Sequence, residues 1–247
     1  MSILEVIDLW KSFGGMIAVK GVSFSVRKGE LLGIIGPNGA GKTTLYNLIT
    51  GFYRPDRGRI LLYGEDITGV PPHKLARKGL VRTFQLVRPF LGMTVLENVL
   101  VPIYARFGML GGNRNEIIKE AREKLKIVGL LNKEELLAEV LSHGEKKKLE
   151  IARALAINPD ILLLDEPVGG LTPKEIDEIV DLIREVHKSG ITVIIIEHNM
   201  RAIMNLCRRI LVLNFGEILA EGTPEEIKSN PKVIEAYLGE KYAVGSG

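Results

Sequence analysis

Cysteine, aromatic residues and long apolar runs are all scarce in this chain of 247 residues. It has one cysteine, one tryptophan and 6% aromatic residues. With Cys207 alone, no disulfide can form within the chain. This suits a reducing compartment, and Cys207 reads as a packed thiol. The clearest apolar stretches, Leu31–Ile35, Ile161–Leu164 and Val193–Ile196, fall far short of the roughly 18 residues that a membrane-spanning helix needs. Any membrane role must therefore come through a partner. The segment from Met1 to Asp8 carries acidic residues and no apolar core, so no signal peptide is expected. An excess of charge of one sign is scarce too. The net charge is +3, and no block of like charge exceeds Lys146-Lys147-Lys148, which removes any need for a nucleic-acid partner. There is no internal repeat and no low-complexity tract.

Hydrophobic residues make up 46% and charged residues 26%, the balance of an ordinary globular protein. At roughly 150 residues per domain, the length allows one large domain or two lobes. Short apolar runs bounded by Gly, Pro or Asp predict buried parallel strands at Leu31–Ile35, Ile161–Leu164 and Thr192–Ile196. Between Lys174 and Lys188, apolar residues at helical spacing (Ile176, Ile179, Val180, Ile183, Val186) predict an amphipathic helix. Thr172-Pro173-Lys174-Glu175 opens it with a capping box, and Thr223-Pro224-Glu225-Glu226 repeats the device. Strands alternating with helices mean an α/β fold with a parallel sheet covered on both faces.

The flanks differ from this core. Ile3–Leu9, Ile17–Val26 and Arg59–Leu62 read as alternating strands of an antiparallel β lobe. Asn115–Val128 and Leu149–Ile157 read as helices of an inserted lobe spanning residues 86–158, with Gly108–Asn113 as a loop inside it. The core then comprises 1–85 and 159–247.

Gly36-Pro37-Asn38-Gly39-Ala40-Gly41-Lys42-Thr43 matches G-x-x-x-x-G-K-[ST] completely. It follows the Leu31–Ile35 strand and precedes a helical stretch, Thr44–Thr50. Glycines let the backbone turn amide hydrogens inward, and a helix N-terminus adds positive dipole, so the loop can cradle phosphate oxygens. Lys42 adds a point charge against the β- and γ-phosphates, and Thr43 a hydroxyl for Mg²⁺. Asp165 and Glu166 end the apolar strand Ile161–Leu164. Parallel strands present their C-terminal ends to the ligand crevice, so Asp165 is placed to hold Mg²⁺ through water and Glu166 to act on an attacking water as general base. His198 follows the strand ending at Ile196 and would reach the same edge; alone, a histidine there is more often structural. From spacing alone, Gln85 is either an amide ligand near Mg²⁺ or a polar loop residue.

The order of these motifs, with Leu141-Ser142-His143-Gly144-Glu145 shortly before Leu162-Leu163-Leu164-Asp165-Glu166-Pro167, resembles the ABC transporter ATPases from about Val6 to Leu238. The resemblance implies a P-loop NTPase core with an antiparallel β lobe and an inserted helical lobe, hydrolysing ATP with Mg²⁺. It assigns Phe13 to the adenine ring and Gly36 to Thr44 to the phosphates. It assigns Thr43, Gln85 and Asp165 to Mg²⁺, Glu166, Gln85 and His198 to hydrolysis, and Ser142 and Gly144 to the γ-phosphate held by a second, head-to-tail subunit. It also implies membrane permease partners, no nucleic acid, and a place on the cytoplasmic face of the membrane. Two departures stand out: His143 and Glu145 replace the usual Gly and Gln, and Thr172 stands where an aspartate is common.

Within that family, Val81-Arg82-Thr83-Phe84-Gln85, Met93-Thr94-Val95-Leu96-Glu97-Asn98, Ile196-Glu197-His198-Asn199-Met200 and Ile234-Glu235-Ala236-Tyr237-Leu238-Gly239 are similar to the ATPases of branched-chain amino-acid uptake. Urea and amide importers share much of this. The alternative is a soluble single-domain ABC ATPase acting as an iron–sulfur scaffold, which the Gly144-Glu145-Lys146-Lys147 run resembles slightly.

Overall fold

The computed structural model describes residues 2–84, 88–107 and 113–243. Ten strands and nine α-helices are arranged, among the described residues, around two sheets. The antiparallel sheet has the order β2-β1-β4-β5, from β1 (Ser2–Phe13), β2 (Met16–Arg27), β4 (Arg57–Leu62) and β5 (Glu65–Asp66). Phe13 pairs with Met16 across the Gly14-Gly15 turn of the first hairpin. Asn-, Asp- or Gly-rich two-residue turns suit hairpins because their backbone twist matches that of the strands. The β1–β2 and β1–β4 pairings are antiparallel, as the alternating patterns predict.

The second sheet has the order β10-β9-β3-β8-β7-β6. Its members are β3 (Leu31–Ile35), β6 (Leu80–Arg82), β7 (Ile161–Asp165), β8 (Thr192–Ile196), β9 (Arg209–Asn214) and β10 (Glu217–Gly222). All adjacent pairs are parallel except β9–β10. Strands β3, β7 and β8 are buried at every position, which is why, apart from Asp165 and Thr192 at strand ends, their sequences are apolar runs without alternation.

Each face of this sheet has its own core. One face joins Leu32, Ile34, Leu163, Ile194 and Leu211 to α1 (Lys42–Ile49) and the antiparallel sheet. The other joins Leu31, Ile35, Leu162, Leu164 and Ile195 to helices. These include α3 (Val95–Phe107), α4 (Arg114–Ile127), α5 (His143–Leu155), α6 (Pro173–Lys188) and α7 (Met200–Leu206). Short α2 (Pro72–Arg77) precedes β6, and α8 (Pro224–Ser229) and α9 (Pro231–Ala243) follow β10. Full burial of each such aliphatic side chain contributes about 1.5–3 kcal/mol.

The expected helix at Asn115–Val128 is α4 within a residue or so, and Thr172 and Thr223 close capping boxes at α6 and α8. Leu149–Ile157 is the C-terminal part of α5, which begins earlier, at His143. Of the expected loop Gly108–Asn113, only Asn113 lies within the described residues, where it caps α4. Cys207 is buried, and burial pushes its thiol far up. Among the described residues, no helix is long and apolar enough to cross a membrane.

Candidate functional site

Strand order decides where the site lies. Strand β8 sits between β3 and β7, and the three run parallel. Their C-terminal ends therefore share one sheet edge. The phosphate loop leaves β3 there, Asp165 and Glu166 end β7, and Glu197 and His198 follow β8.

The loop glycines are needed for backbone approach. Gly36 has φ 154°, and a Cβ on it would meet the Leu213 carbonyl oxygen at 2.2 Å; Gly41 has φ 98°, and its Cβ would meet the Ala18 oxygen at 2.2 Å. Any other residue would push the loop off the backbone at Leu213 and Ala18. Pro37 and Ala40 are buried, while Asn38 and Gly39 are exposed at the tip. Helix α1 opens on Gly41 with no side-chain cap and no acidic residue in its first turn. Its leading amides and dipole are thus presented to an anion. Lys42 curls over the loop, its Nζ donating to the Gly36 and Pro37 carbonyls at 2.5 and 2.8 Å. Thr43 is exposed and Thr44 half-buried at the same helix start. Tyr46, fully buried one turn on, anchors α1 to the sheet by donating its hydroxyl to Ile194 O at 2.7 Å.

Asp165 is buried and forms an ion pair with Arg82 at 2.7 Å. Its backbone N–H donates to Thr83 Oγ1 at 3.3 Å. Glu166 has φ 47°, the left-handed region that a non-glycine residue adopts only under constraint. Its N–H donates to Ile196 O at 2.9 Å, and its carbonyl accepts from Gly169 N–H at 3.2 Å, closing a tight turn. His198 Nδ1 stands 3.7 Å from Glu166 Oε1.

Glu197 holds these two turns together. Its buried carboxylate accepts the N–H groups of Val168, His198 and Asn199 at 2.9, 3.0 and 3.1 Å. Burial raises its carboxyl above the ordinary range, against the lowering effect of those bonds.

Phe13 lies at the hairpin tip, 40% exposed, edge-on to Tyr53 with ring centroids 5.3 Å apart. The Lys11 ammonium sits 5.5 Å from its centroid. An open aromatic face on a cationic hairpin can stack on a base.

Ser142 is exposed and caps α5. Its Oγ accepts from Glu145 N–H at 3.2 Å, and Glu145 Oε2 accepts from Ser142 N–H at 3.1 Å. The glutamate found where glutamine is usual is therefore the return arm of a capping box. Gly144 is buried, and a Cβ on it would meet Glu175 Oε1 at 2.6 Å. His143 Nε2 lies 3.3 Å from Gly169 O, next to the Glu166 turn. Ser142, Gly144 and Thr172 line one cleft with Glu175. Gln85 lies outside the described residues.

Besides Glu197, three residues in contact with this site carry no role in the sequence reading: Arg82, Lys147 and Glu150. Lys147 on α5 is buried, and its Nζ donates to Glu166 O at 3.0 Å. Glu150, one turn further, accepts the Phe84 N–H at 2.8 Å. Burial pushes its carboxyl up to about 7, opposed by that bond and by the Lys147 and Arg153 charges. A signal existed, since Lys147 falls on the helix face of Gly144, Ile151 and Leu155, where lysine is out of place.

A glycine-lined phosphate loop at the end of one parallel strand, an acidic end on a second and a histidine after a third define a P-loop ATPase of the cassette type. Residues 19–169 match the ABC transporter family, and the chain belongs to that family. Residues 217–243 match a second model, described as branched-chain amino acid ATP-binding cassette transporter. The chain is 46% identical to the high-affinity branched-chain amino acid transport ATP-binding protein BraF of Pseudomonas aeruginosa, over 96% of this chain and 98% of that one. It is 44% identical to LivG of Escherichia coli, with the same coverage. Among solved structures, an ATP-binding cassette of an ABC transporter in its ADP conformation is 38% identical. It superposes with a TM-score of 0.88 over 97% of this chain and 99% of that one. A dimeric cassette bound to ADP and phosphate is 28% identical, with a TM-score of 0.80 over 90% and 98%. The chain is an ABC-family ATPase, and nothing in these relatives favours the iron–sulfur scaffold.

Proposed function

We propose that this chain is the ATP-binding and ATP-hydrolysing subunit of an importer of branched-chain amino acids or similar small polar solutes. The observation that carries the reading is the convergence of Lys42, Asp165, Glu166 and His198 on one sheet edge, with Ser142 exposed at the start of α5 for a facing subunit. The likeness to BraF and LivG over nearly the whole chain supports the solute class.

In this reading Phe13 stacks on adenine, and the loop from Gly36 to Thr44 binds the phosphates through its backbone N–H groups, Pro37 having none, and through Lys42. Glu166 accepts a proton from the attacking water, and His198, 3.7 Å from Glu166, contacts the γ-phosphate. Mg²⁺, when bound, would supply neutralisation of the phosphate charge. The Thr43 hydroxyl and the amide of Gln85 would hold it, with the Asp165 carboxylate acting through water. These are all hard oxygen donors, few in number, which fits an ion that keeps water and phosphate in its coordination sphere.

Two subunits pair head to tail, each phosphate loop facing Ser142 and Gly144 of the other. ATP then bridges the pair, and loss of the γ-phosphate weakens the bridge, a population shift driven by differential binding. Residues 86–158 form the lobe that passes this motion to membrane permease subunits, and 1–85 with 159–247 form the ATP-binding core. The chain works at the cytoplasmic face of the membrane without contacting the solute.

The test is Glu166→Gln. ATP affinity by calorimetry should stay within about threefold, hydrolysis should fall by about 10²–10⁴, and ATP should trap a dimer visible by light scattering. Turnover at the parental rate would remove Glu166 from the base role. Loss of leucine uptake on deleting the gene, restored by this chain, tests the solute class.

A further inference from the structure

Helix α5 carries more than the capping serine. Lys147 lies five residues after Ser142, about 7.5 Å along the helix axis. Only 4% of it is exposed, and its Nζ donates to the carbonyl oxygen of Glu166 at 3.0 Å. A lysine is seldom buried this deeply, because its ammonium loses water unless fixed acceptors and opposite charge replace it. Here Glu150, one turn on, supplies opposite charge. The bond is made to a backbone that needs holding. Glu166 has a φ of 47°, and its carbonyl also accepts from Gly169 N–H at 3.2 Å. Such a conformation persists only where its surroundings over-determine it. Remove Lys147, and a donor on that carbonyl is gone, so the Glu166 side chain loses a constraint on its aim.

We propose that Lys147 is a positioning residue for ATP hydrolysis: by donating to the Glu166 carbonyl it sets the direction of the Glu166 carboxylate and ties it to the helix that Ser142 caps. Ordering of Ser142 by a nucleotide across the subunit interface is thereby linked, through one helix, to the group that acts on water in the same chain. This rests on the assignment of Glu166 as the general base. The bond is to a main-chain oxygen, so what is required of residue 147 is a donor of sufficient reach, and the positive charge is secondary.

The experiment compares Lys147→Met and Lys147→Gln in the full chain, reading phosphate release and, by calorimetry, ATP affinity. In Lys147→Met, kcat should fall by about 10²-fold, the scale of a 1 Å misplacement, with ATP affinity unchanged. Lys147→Gln, which keeps a donor, should recover most of that loss. In a Glu166→Gln background, Lys147→Met should cause no further loss, because the two act on one step. Parental kcat in Lys147→Met, a loss equalled by loss of ATP affinity, or a full further drop in the Glu166→Gln background would each overturn the proposal. If Lys147→Met does not fold, Lys147→Asn against Lys147→Gln replaces it: both are neutral amides, and only the shorter should lose kcat, whereas equal rates overturn the proposal. Parental turnover in Glu166→Gln alone would instead sink the general-base reading, so the two failures are distinguishable.

Discussion

Arg82 donates to Asp165 Oδ2 at 2.7 Å, with 7% and 4% of the two side chains exposed. The guanidinium is also packed 5.2 Å from the Phe84 ring centroid and 5.6 Å from that of Phe52. A fixed cation thus faces the buried Asp165 side chain. Through Arg82 the acidic end of β7 is tied to the end of β6, the strand that leads into Thr83 and Phe84.

Breaking a buried pair from one side leaves the other charge uncompensated, at about 3–5 kcal/mol. Arg82→Met should lower unfolding free energy in urea by that amount. Adding Asp165→Asn should return a large part of it, since no bare carboxylate remains. If the two single losses simply summed in the double variant, the pair would not be the source of the cost.

Lys42→Ala should weaken ATP binding by about 10–100-fold, the worth of a hydrogen bond to a charged group at about 1.5–3 kcal/mol. Calorimetry measures this directly. Unchanged affinity would show that the triphosphate is held elsewhere.

Glu150 predicts a pH dependence of stability. Its carboxyl sits at about 7 in the fold, against about 4.3 in an unfolded chain. A raised folded value means that its contribution is fully present below about pH 4.3 and is lost as pH rises through 7. Glu150→Gln keeps an acceptor for the Phe84 N–H but carries no charge. It should nearly match the parent at pH 4.5 and exceed it by on the order of 3–4 kcal/mol at pH 8. Denaturation midpoints at the two pH values decide the matter, and a gap that did not widen with pH would contradict it.

Ser142 has two separable roles. Ser142→Ala removes the cap of α5 and should cost about 1 kcal/mol, whereas Ser142→Gly should cost only a few tenths. Both lack the hydroxyl, so both should weaken ATP-driven dimerisation of a Glu166→Gln chain in sedimentation or light scattering. Dimerisation that followed stability, with Ser142→Gly behaving as the parent, would confine Ser142 to the cap.

The core strands were legible because β3, β7 and β8 are buried on both faces and so are apolar except at the ends, Asp165 of β7 and Thr192 of β8. The phosphate loop was legible because Gly36 and Gly41 abut neighbouring backbone, and Lys42 follows at fixed spacing. Thr172 and Thr223 showed themselves as caps because a capping box is a local hydrogen-bond pattern. Helix α3 went unread, since Val95–Phe107 is apolar over much of its surface and contains Pro102, which blurs its period. Arg82 and Glu150 could not be assigned from the sequence, because their partners lie 83 and 66 residues away.

The sequence by itself determined the kind of chemistry: local spacing decides which backbone can cradle phosphate, and burial on both faces decides which segments are parallel strands. Only the tertiary structure decided which distant groups meet. It placed β8 between β3 and β7, paired Arg82 with Asp165, and brought Lys147 to the Glu166 carbonyl. The physical reason is that a buried charge takes whichever partner the packing of the whole chain delivers, and no local pattern along the chain encodes that choice.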